Sequence, residues 1–280
     1  MLNNFSMKYG INLLKACIIL TAIVWSIFPI LLIILSSFKR NNDIFSTPFK
    51  FAFEITFENY TNLWLNWPIF FDSLFNSLMI TSGATALTIA VSAFAGWAYS
   101  RCHDRYLTWS AFGLIILRLL PPIVITIPLF PLANFFGFND TYGWLIFLYA
   151  TFFISLGSWI MKAFFDQVPI ELEESAQCDG ANISQTMRFI SFPLGVPGMI
   201  ATGVFVFIHS WNDYLFAFIF STSKAKTAPV ILSEMMGSAT GVDWGVVFAA
   251  ATIQLVPIAV FFIFVQKYLI EGLTAGSVKG

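Results

Sequence analysis

Four polar residues lie inside long apolar runs of this chain, and their side chains could act on a solute. They are Arg118, His209, Asn212 and Asp213. Ionisable groups are costly at membrane depth, and those that occur there usually mark a solute or ion pathway or pair with another polar group. Their chemistry would be binding or gating rather than bond cleavage, because no nucleophile, base and metal set converges around them in the sequence.

Arg118 has two interpretations. It lies in an apolar run that Pro121, Pro122, Pro128 and Pro131 interrupt, and proline removes a backbone N–H and clashes with the preceding turn of a helix. Backbone groups freed in this way must be buried in protein or face water, so the region would form a cavity wall with Arg118 lining a pathway. Alternatively, Arg118 is an interhelical tie to a carbonyl or a carboxylate.

The polar residues near position 210 form a second candidate set. His209 and Asp213 are four residues apart, so on a helix they would share a face and could hydrogen-bond to each other. Asn212 and Asp213 are expected to line or gate the pathway. Trp211 and Tyr214 are expected to anchor the chain at a membrane boundary, where such side chains are enriched.

The sequence contains no constellation typical of an enzyme or a metalloprotein. Its two histidines and three cysteines lack zinc-ligand spacing, and there is no glycine-rich phosphate loop, Ser-His-Asp order or nucleic-acid signature. We therefore expect a chain that is not an enzyme and that binds no metal, cofactor or nucleic acid. The cysteines are expected to remain reduced.

A polar hairpin runs from Val168 to Pro193 between two apolar runs. Pro169 can open a helix, and Glu171, Glu173 and Glu174 follow where the positive end of a helix dipole favours acids. Gly180 supplies a left-handed stop. Asn182 or Ser184 can then cap a second helix, which Pro193 is expected to end. The segment is predicted to be helix, sharp corner, helix, with carboxylates exposed.

The elements around these residues are membrane spans. Of the 280 residues, 58% are hydrophobic and 10% charged, against about 25% charged in soluble domains. A spanning helix needs about 20 apolar residues. Six windows qualify: Ala16–Leu35, Ser73–Ser100, Leu107–Phe135, Trp144–Met161, Gly195–Phe220 and Gly245–Val265. In the second window, a stripe of small residues is expected to pack against other helices: Gly83, Ala86, Ala90 and Ala93.

The distribution of basic residues predicts the orientation. Arg101 and Arg105 flank the turn between the second and third windows, whereas the loop from Gly137 to Gly143 contains no basic residue. Basic loops face the cytoplasm. With six spans, both termini and the loop from Lys162 to Leu194 are then cytoplasmic.

The hairpin resembles the signature loop of ABC importer permeases. Glu174-Ser175-Ala176, three residues, Gly180, nine residues and then Ile190-Ser191-Phe192-Pro193 match the pattern E-A-A, three residues, G, nine residues, I-x-L-P, with Ser175 and Phe192 as departures. Three shorter stretches also resemble the carbohydrate branch of this family, specifically the shorter permease of maltose-type importers: Phe57-Glu58-Asn59-Tyr60, Trp211-Asn212-Asp213 and the tail Gly272–Gly280.

This resemblance implies an all-α membrane protein with six transmembrane helices, the type I ABC importer permease fold and a cytoplasmic helix-turn-helix coupling loop. Residues 1–280 would form a single transmembrane permease domain, with the coupling loop at about 162–194 and a C-terminal tail at about 268–280. The residues implied to couple to the ATPase are Glu173, Glu174, Ser175, Ala176, Asp179, Gly180, Ile190 and Pro193. The tail residues implied to contact the ATPase are Gly276, Lys279 and Gly280.

The implied function is the translocation pathway for a sugar, oligosaccharide or polyol in the inner or plasma membrane of a prokaryote. The implied partners are a sister permease, a dimer of ATP-binding subunits and an extracytoplasmic solute-binding protein, with ATP and magnesium on the partner ATPase. A secondary carrier driven by protons or sodium is the alternative, and only Arg118 and the residues from His209 to Asp213 could serve it. A membrane-embedded enzyme is a third and weaker reading.

Overall fold

The computed structural model describes residues 2–48, 52–102, 104–237 and 241–275, with side chains from Asn12 to Lys267 within these ranges. The described residues form helices and connecting segments, and no strand occurs among them. The helices are α1 (Leu2–Ser37), α2 (Asn41–Ile44), α3 (Glu58–Asn66), α4 (Ile69–Arg101), α5 (Arg105–Arg118), α6 (Pro122–Phe135), α7 (Tyr142–Phe165), α8 (Ile170–Cys178), α9 (Ile183–Thr186), α10 (Phe192–Leu194), α11 (Val196–Trp211), α12 (Leu215–Phe220), α13 (Ala228–Met236) and α14 (Trp244–Ala275). A π-helical stretch, Met187–Ser191, joins α9 to α10.

Four helical stretches of the described chain are long and apolar enough to cross a membrane, and two bent helix pairs could raise this number to six. The four are Asn12–Ser37, Ile69–Arg101, Tyr142–Phe165 and Trp244–Lys267. The pair α5 and α6 is bent by 94°, and the pair Ile183–Leu194 and Val196–Trp211 by 67°. The expected interruption of the third window is confirmed at Pro121 and Pro122, since α5 ends at Arg118 and α6 begins at Pro122, but Pro128 and Pro131 lie inside α6 and do not break it. The fifth window also differs from a single helix, because α11 ends at Trp211 and α12 is separate.

The chain divides into two compact units, residues 1–70 with 232–255 and residues 71–231 with 256–280. In the first unit, the buried amide of Asn59 secures the chain after α1. Its Nδ2 donates to the carbonyl oxygens of Ser37 at 2.8 Å and Lys39 at 2.7 Å. The Tyr60 and Ser37 hydroxyls are also hydrogen-bonded, at 2.7 Å. The Phe57–Tyr60 motif therefore fixes the end of a membrane helix to the following segment.

In the second unit, small residues let α4, α7 and α11 approach closely. A methyl group added at Gly96 of α4 would overlap Met161 of α7, and one added at Gly157 of α7 would overlap Ser92 of α4 and press on Thr202 of α11. Close approach of this kind is how helices pack in lipid, where burial of apolar surface gives no driving force. The predicted stripe on α4 is only partly right: Ala93 is buried, Gly83 is partly covered, and Ala86 and Ala90 are exposed. The buried face instead includes Ala84, Thr88, Ser92 and Gly96.

Candidate functional site: the α8–α10 hairpin and the polar residues of the spans

The first arm of the hairpin is α8, which follows Pro169 at φ −58°. The corner after it depends on Gly180, whose φ is +91°. A Cβ atom added there would meet nothing within 4 Å, so the glycine serves the left-handed backbone conformation and not a need for space. The predicted stop at Gly180 is confirmed.

Asn182 starts the second arm with a reciprocal cap. Its Oδ1 accepts from the Gln185 backbone N–H at 2.9 Å, and its own backbone N–H donates to Gln185 Oε1 at 2.8 Å. This capping box satisfies two of the N–H groups that a helix start leaves unpaired. Of the two residues predicted as the cap, Asn182 is the one that acts.

The expectation that Pro193 ends the second helix is wrong. The chain widens to a π-helix over Met187–Ser191, in which the Phe192 N–H reaches back to the Met187 carbonyl, and then continues as α10 through Pro193 to Leu194. A widened turn shifts the backbone pairing by one residue, which accommodates a proline that a regular turn would not. The 67° bend follows after Leu194.

Glu173 departs from the prediction that the hairpin's carboxylates are exposed. Its side chain is only 4% exposed, and its Oε1 accepts from Arg101 Nε at 3.0 Å. Trp97 Nε1 donates to Oε2 at 3.3 Å. The α8 helix turns Glu173 toward the end of α4, whereas its neighbour Glu174 is exposed.

Arg101 connects three parts of the second unit. Besides Glu173, its guanidinium donates from Nη1 to the Phe165 carbonyl at 3.0 Å and from Nη2 to the Val168 carbonyl at 2.9 Å. These carbonyls lie at the end of α7 and in the segment leading to α8, where unpaired oxygens attract a cation. We call Trp97, Arg101 and Glu173 the anchor cluster. Sequence reasoning used Arg101 only for orientation and missed this role, since its partner lies 72 residues away.

The remaining predicted coupling residues form the outer side of the hairpin. Glu174, Ser175, Asp179, Gly180 and Pro193 are exposed, and Ala176 and Ile190 are partly covered. Ser175, which departs from the family's alanine, bonds its hydroxyl to the Glu171 carbonyl at 2.7 Å, so its polarity is satisfied within α8. Several apolar side chains are exposed beside these residues: Ile170, Leu172, Ile183 and Phe189. This mixed acidic and apolar surface suits a protein partner.

Arg118 is the last residue of α5, and Pro121 and Pro122 follow after two intervening residues at the start of α6. Its guanidinium carbon is 5.4 Å from the ring centre of Phe152, 5.5 Å from that of Phe205 and 6.0 Å from that of Phe153. Its Nη1 is buried without a hydrogen-bond partner in the described chain. The interhelical tie to a carbonyl or carboxylate is therefore not made by Nη1, and aromatic rings surround the cation instead.

Arg118 also borders a cavity of about 400 Å³ in the second unit. Trp144, Phe147, Phe152 and Phe216 supply aromatic walls, and Leu117 lies beside Arg118. This arrangement agrees with the expected cavity wall. His209 is brought near Arg118, because it packs on Phe205 at 4.2 Å and Phe153 at 6.0 Å between ring centres.

Asn212 and Asp213 do not join Arg118. Asn212 follows the end of α11 and donates from Nδ2 to the Ile208 carbonyl at 2.8 Å. Asp213 accepts from the Tyr149 hydroxyl at 2.9 Å and from the Phe216 N–H at 3.0 Å, so it caps α12. The hydrogen bond that the sequence suggests between His209 and Asp213 is replaced by these contacts, because α11 ends at Trp211, two residues before Asp213.

Asp140, between α6 and α7, is a further polar centre that sequence reasoning missed. Its carboxylate accepts from the backbone N–H groups of Thr222, Ser223, Lys224 and Ala225, and from the Ser223 hydroxyl at 2.8 Å. Burial opposes ionisation of this group, but these hydrogen bonds outweigh burial and hold the pKa of Asp140 well below its usual range. The structure marks Asp140 as unusual through its positive φ of +59°, but a backbone angle cannot be read from the sequence.

Gly276, Lys279 and Gly280 lie outside the described residues. Within the described ranges, no group of three or more His, Cys, Asp or Glu side chains could hold a metal ion.

The fold is similar to those of solved ABC transporters. It matches a chain of a bacterial ABC transporter involved in the import of the acidic polysaccharide alginate with a TM-score of 0.77 and 19% identity, over 92% of this chain and 95% of that chain. A structure of a bacterial alginate ABC transporter in complex with an alginate pentasaccharide-bound periplasmic protein gives a TM-score of 0.65 and 16% identity, over 90% and 92% of the two chains. The chain therefore has the fold of these ABC transporter chains.

Sequence comparisons place the chain within a family. The model for the binding-protein-dependent transport system inner membrane component matches residues 89–274. The trehalose/maltose transport system permease protein MalG of Thermococcus litoralis is 33% identical over 94% of each chain. The trehalose transport system permease protein SugB of Mycobacterium tuberculosis is 34% identical over 81% of this chain and 83% of that protein. The chain belongs to the family of binding-protein-dependent transport system inner membrane components, whose members are transport permeases and not enzymes, and it is a permease subunit of an ABC importer.

Proposed function

We propose that this permease forms, with a sister permease, the pathway for a sugar, oligosaccharide or polyol, and that the α8–α10 hairpin couples this pathway to ATP hydrolysis on a partner subunit. Relatives named for trehalose and maltose transport support the carbohydrate class. A relative from Agrobacterium fabrum is named as a sulfoquinovosyl glycerol permease and one from Streptomyces coelicolor as a diacetylchitobiose permease, so the proposed class includes substituted sugars.

The observation that carries the coupling role is that the hairpin has exposed carboxylates on one side and a buried attachment to the spans on the other. Glu174 and Asp179 are exposed, while Glu173 is buried against the end of a membrane helix. A short helix held in this way can transmit a rigid-body shift between a partner on its exposed side and the spans behind it. The exposed carboxylates would meet basic groups of the ATPase.

The proposed orientation of the chain in the membrane determines where each partner binds. The hairpin and both termini lie on the cytoplasmic side of a prokaryotic cell membrane, in agreement with Arg101 and Arg105 at one end of the spans. A dimer of ATP-binding subunits holds ATP and magnesium, and an extracytoplasmic binding protein delivers the solute. The tail residues Gly276, Lys279 and Gly280 would contact the ATPase dimer.

The Gly180→Leu variant tests the coupling role. Leucine strains the backbone at φ +91° without a clash, so the corner should open while the spans remain folded. We expect normal insertion and abundance, and solute-stimulated ATPase activity of the assembled complex reduced by at least about tenfold, the scale of a typical coupling energy. ATPase assays in proteoliposomes with the binding protein give this readout.

The matched control is Gly137→Leu. Gly137 also has a positive φ, +68°, and open space around its Cβ position, but it lies between α6 and α7. It should therefore carry a similar backbone penalty and retain stimulation. Full stimulation in Gly180→Leu, or uptake of solute without any ATPase subunit, would overturn the proposed function.

A further inference from the structure

We infer that the anchor cluster makes α8 move as one body with α4, and that Arg101 and Glu173 are positioning residues for coupling. This inference rests on the proposed coupling function of the hairpin. It adds a route that chain connectivity does not supply, because α8 is joined covalently only to α7 and α9.

The two covalent connections of α8 are short irregular segments, residues 166–169 and 179–182. Such segments can bend when the partner pushes on α8, and the bend would absorb part of the displacement. Arg101 prevents this at the first segment, because its Nη1 holds the carbonyl of Phe165 just before the segment and its Nη2 holds that of Val168 within it. Its Nε at the same time holds Glu173 on α8.

The pair is shielded from water, which makes it a stiff link. The side chains of Arg101 and Glu173 are 10% and 4% exposed. In such a setting, removal of either partner leaves a buried charge uncompensated. The nearby pair of Lys162 and Asp166 differs, because its side chains are 28% and 43% exposed and both residues belong to the same helical end. Exposed pairs of this kind contribute little.

The far side of the link is equally close-packed. Five residues before Arg101, Gly96 allows α4 to lie against the Met161 backbone so tightly that a methyl group would overlap it. The ends of α4 and α7 therefore form a firm base, and Arg101 clamps α8 onto that base. A displacement of α8 reaches α4 directly as well as α7 and α11.

Neighbouring acids on α8 consequently have different tasks. Successive residues on a helix are rotated by about 100°, so Glu173 points to Trp97 and Arg101 whereas Glu174 points to solvent. Loss of Glu174 should weaken the contact with the ATPase. Loss of Glu173 should leave that contact in place and weaken the transfer of motion.

The test compares Glu173→Gln, Arg101→Gln and the double variant in the full complex with its binding protein. Solute taken up per ATP hydrolysed should fall by about tenfold in each single variant, while the amount of copurified ATPase and the basal hydrolysis rate change by less than about twofold. The double variant should be no worse than either single variant, since both remove the same link. Arg101→Lys, which keeps the charge but loses the forked donors, should give an intermediate value.

Trp97→Phe gives a milder probe in case the charge variants fold poorly. It removes only the hydrogen bond from Nε1 to Glu173 and keeps an aromatic ring, so uptake per ATP should fall by a few-fold with normal abundance. Lys162→Gln is the control, because it breaks the exposed pair beside the cluster and should leave uptake per ATP unchanged.

The outcomes separate the two levels of the proposal. If Gly180→Leu uncouples the complex but Glu173→Gln and Arg101→Gln keep wild-type uptake per ATP, the inference is wrong and the coupling function stands. If the anchor variants lose only folded protein and keep their specific activity, the cluster is structural and the inference is again overturned. If none of the hairpin variants, Gly180→Leu included, changes stimulation, the proposed function itself fails.

Discussion

At the scale of single residues, Arg118 is unusual because aromatic rings surround its guanidinium at the break between α5 and α6. Phe152, Phe153 and Phe205 surround its guanidinium, and Nη1 has no hydrogen-bond partner in the described chain. A cation–π contact stabilises a desolvated cation by about 2 kcal/mol or more. The rings can thus hold the charge in place beside the cavity.

Replacing Arg118 tests whether it serves the pathway. We expect Arg118→Ala to reduce solute uptake by about tenfold while membrane abundance changes less, because the charge at the cavity is lost and the rings can repack. Arg118→Lys should retain more uptake, since it keeps a cation over the rings. Radiolabelled solute uptake normalised to quantified complex gives both values. A severe loss of folded protein with normal specific activity would indicate a purely structural role.

Asp140 is the second residue whose surroundings determine its behaviour. With four backbone N–H donors and one hydroxyl, its carboxylate organises the segment from Thr222 to Ala225. Its pKa is lower in the folded protein than in the unfolded chain, so its ionised form contributes stability above the unfolded pKa of about 4. That contribution is lost as pH falls from about 4 through the lower folded pKa.

The Asp140→Asn variant should show this pH dependence. An amide offers one acceptor oxygen instead of two, so we expect the free energy of unfolding at neutral pH to fall by about 2 kcal/mol. The difference from the wild type should shrink below about pH 4, where the wild-type carboxyl begins to protonate. Thermal unfolding followed by tryptophan fluorescence at several pH values measures it. Glu171→Gln, at an exposed site, should show no comparable difference at neutral pH, and equal loss in both variants would contradict the assignment.

At the scale of elements, the α4–α7 contact depends on glycines. Gly96 and Gly157 let the two helices approach to a separation at which added methyl groups would overlap. The same contact forms the base on which the hairpin rests. Packing in this region should therefore affect stability and, through the proposed coupling role of the hairpin, transport.

We expect Gly96→Val to lower the free energy of unfolding by about 1–3 kcal/mol, because overpacking forces helices or rotamers to shift. Gly113→Val is the matched control, since Gly113 is also a helical glycine but has open space at its Cβ position. Thermal stability of the purified complex distinguishes the two variants. Similar stability of Gly96→Val and Gly113→Val would mean that α4 and α7 are not held at the described separation.

At the scale of the whole molecule, the chain is a permease subunit of an ABC importer. Its family and fold are those of ABC importer permeases, and the described residues contain no metal-ligand cluster. Much apolar surface is exposed on the single chain, including Trp25 of α1 at 82% and Leu119 after α5 at 77%. Lipid and other subunits would cover such surface.

Purification of the tagged chain from its native membrane tests the assembly. We expect a sister permease and an ATP-binding subunit to copurify, and a sugar-binding receptor to be captured when vanadate arrests the nucleotide cycle. Mass spectrometry identifies the companions, and binding assays on the receptor identify the sugar. Active transport by the isolated chain in proteoliposomes would contradict the proposed division of labour.

Local signals predicted the local features of this molecule well. Pro121 and Pro122 predicted the broken span, and Pro169, Gly180 and Asn182 predicted the hairpin, because each acts through its own backbone. Pro193 is an exception, because the chain widens to a π-helix before it and the helix continues through it. The other errors involve partners that are distant in sequence. The sequence predicts an exposed Glu173, because it does not show that Arg101 of another helix is the partner of this carboxylate. It places Asp213 on one helical face with His209, because no strong sequence signal marks the end of α11 at Trp211. The six-span count and the single-domain division stay predictions.

The π-helical stretch Met187–Ser191 has the length of a regular helix with one additional residue. Deleting one residue there would let the stretch rewind to regular turns with its flanking helices still in register, whereas inserting another residue would rotate the hairpin's outer face by about 100° relative to α11. Spacing between Gly180 and Pro193 therefore specifies the orientation of that face as firmly as residue type does. Substitutions and a one-residue deletion should be tolerated along this stretch more readily than an insertion, which would turn the exposed Glu174 and Asp179 away from the proposed ATPase partner.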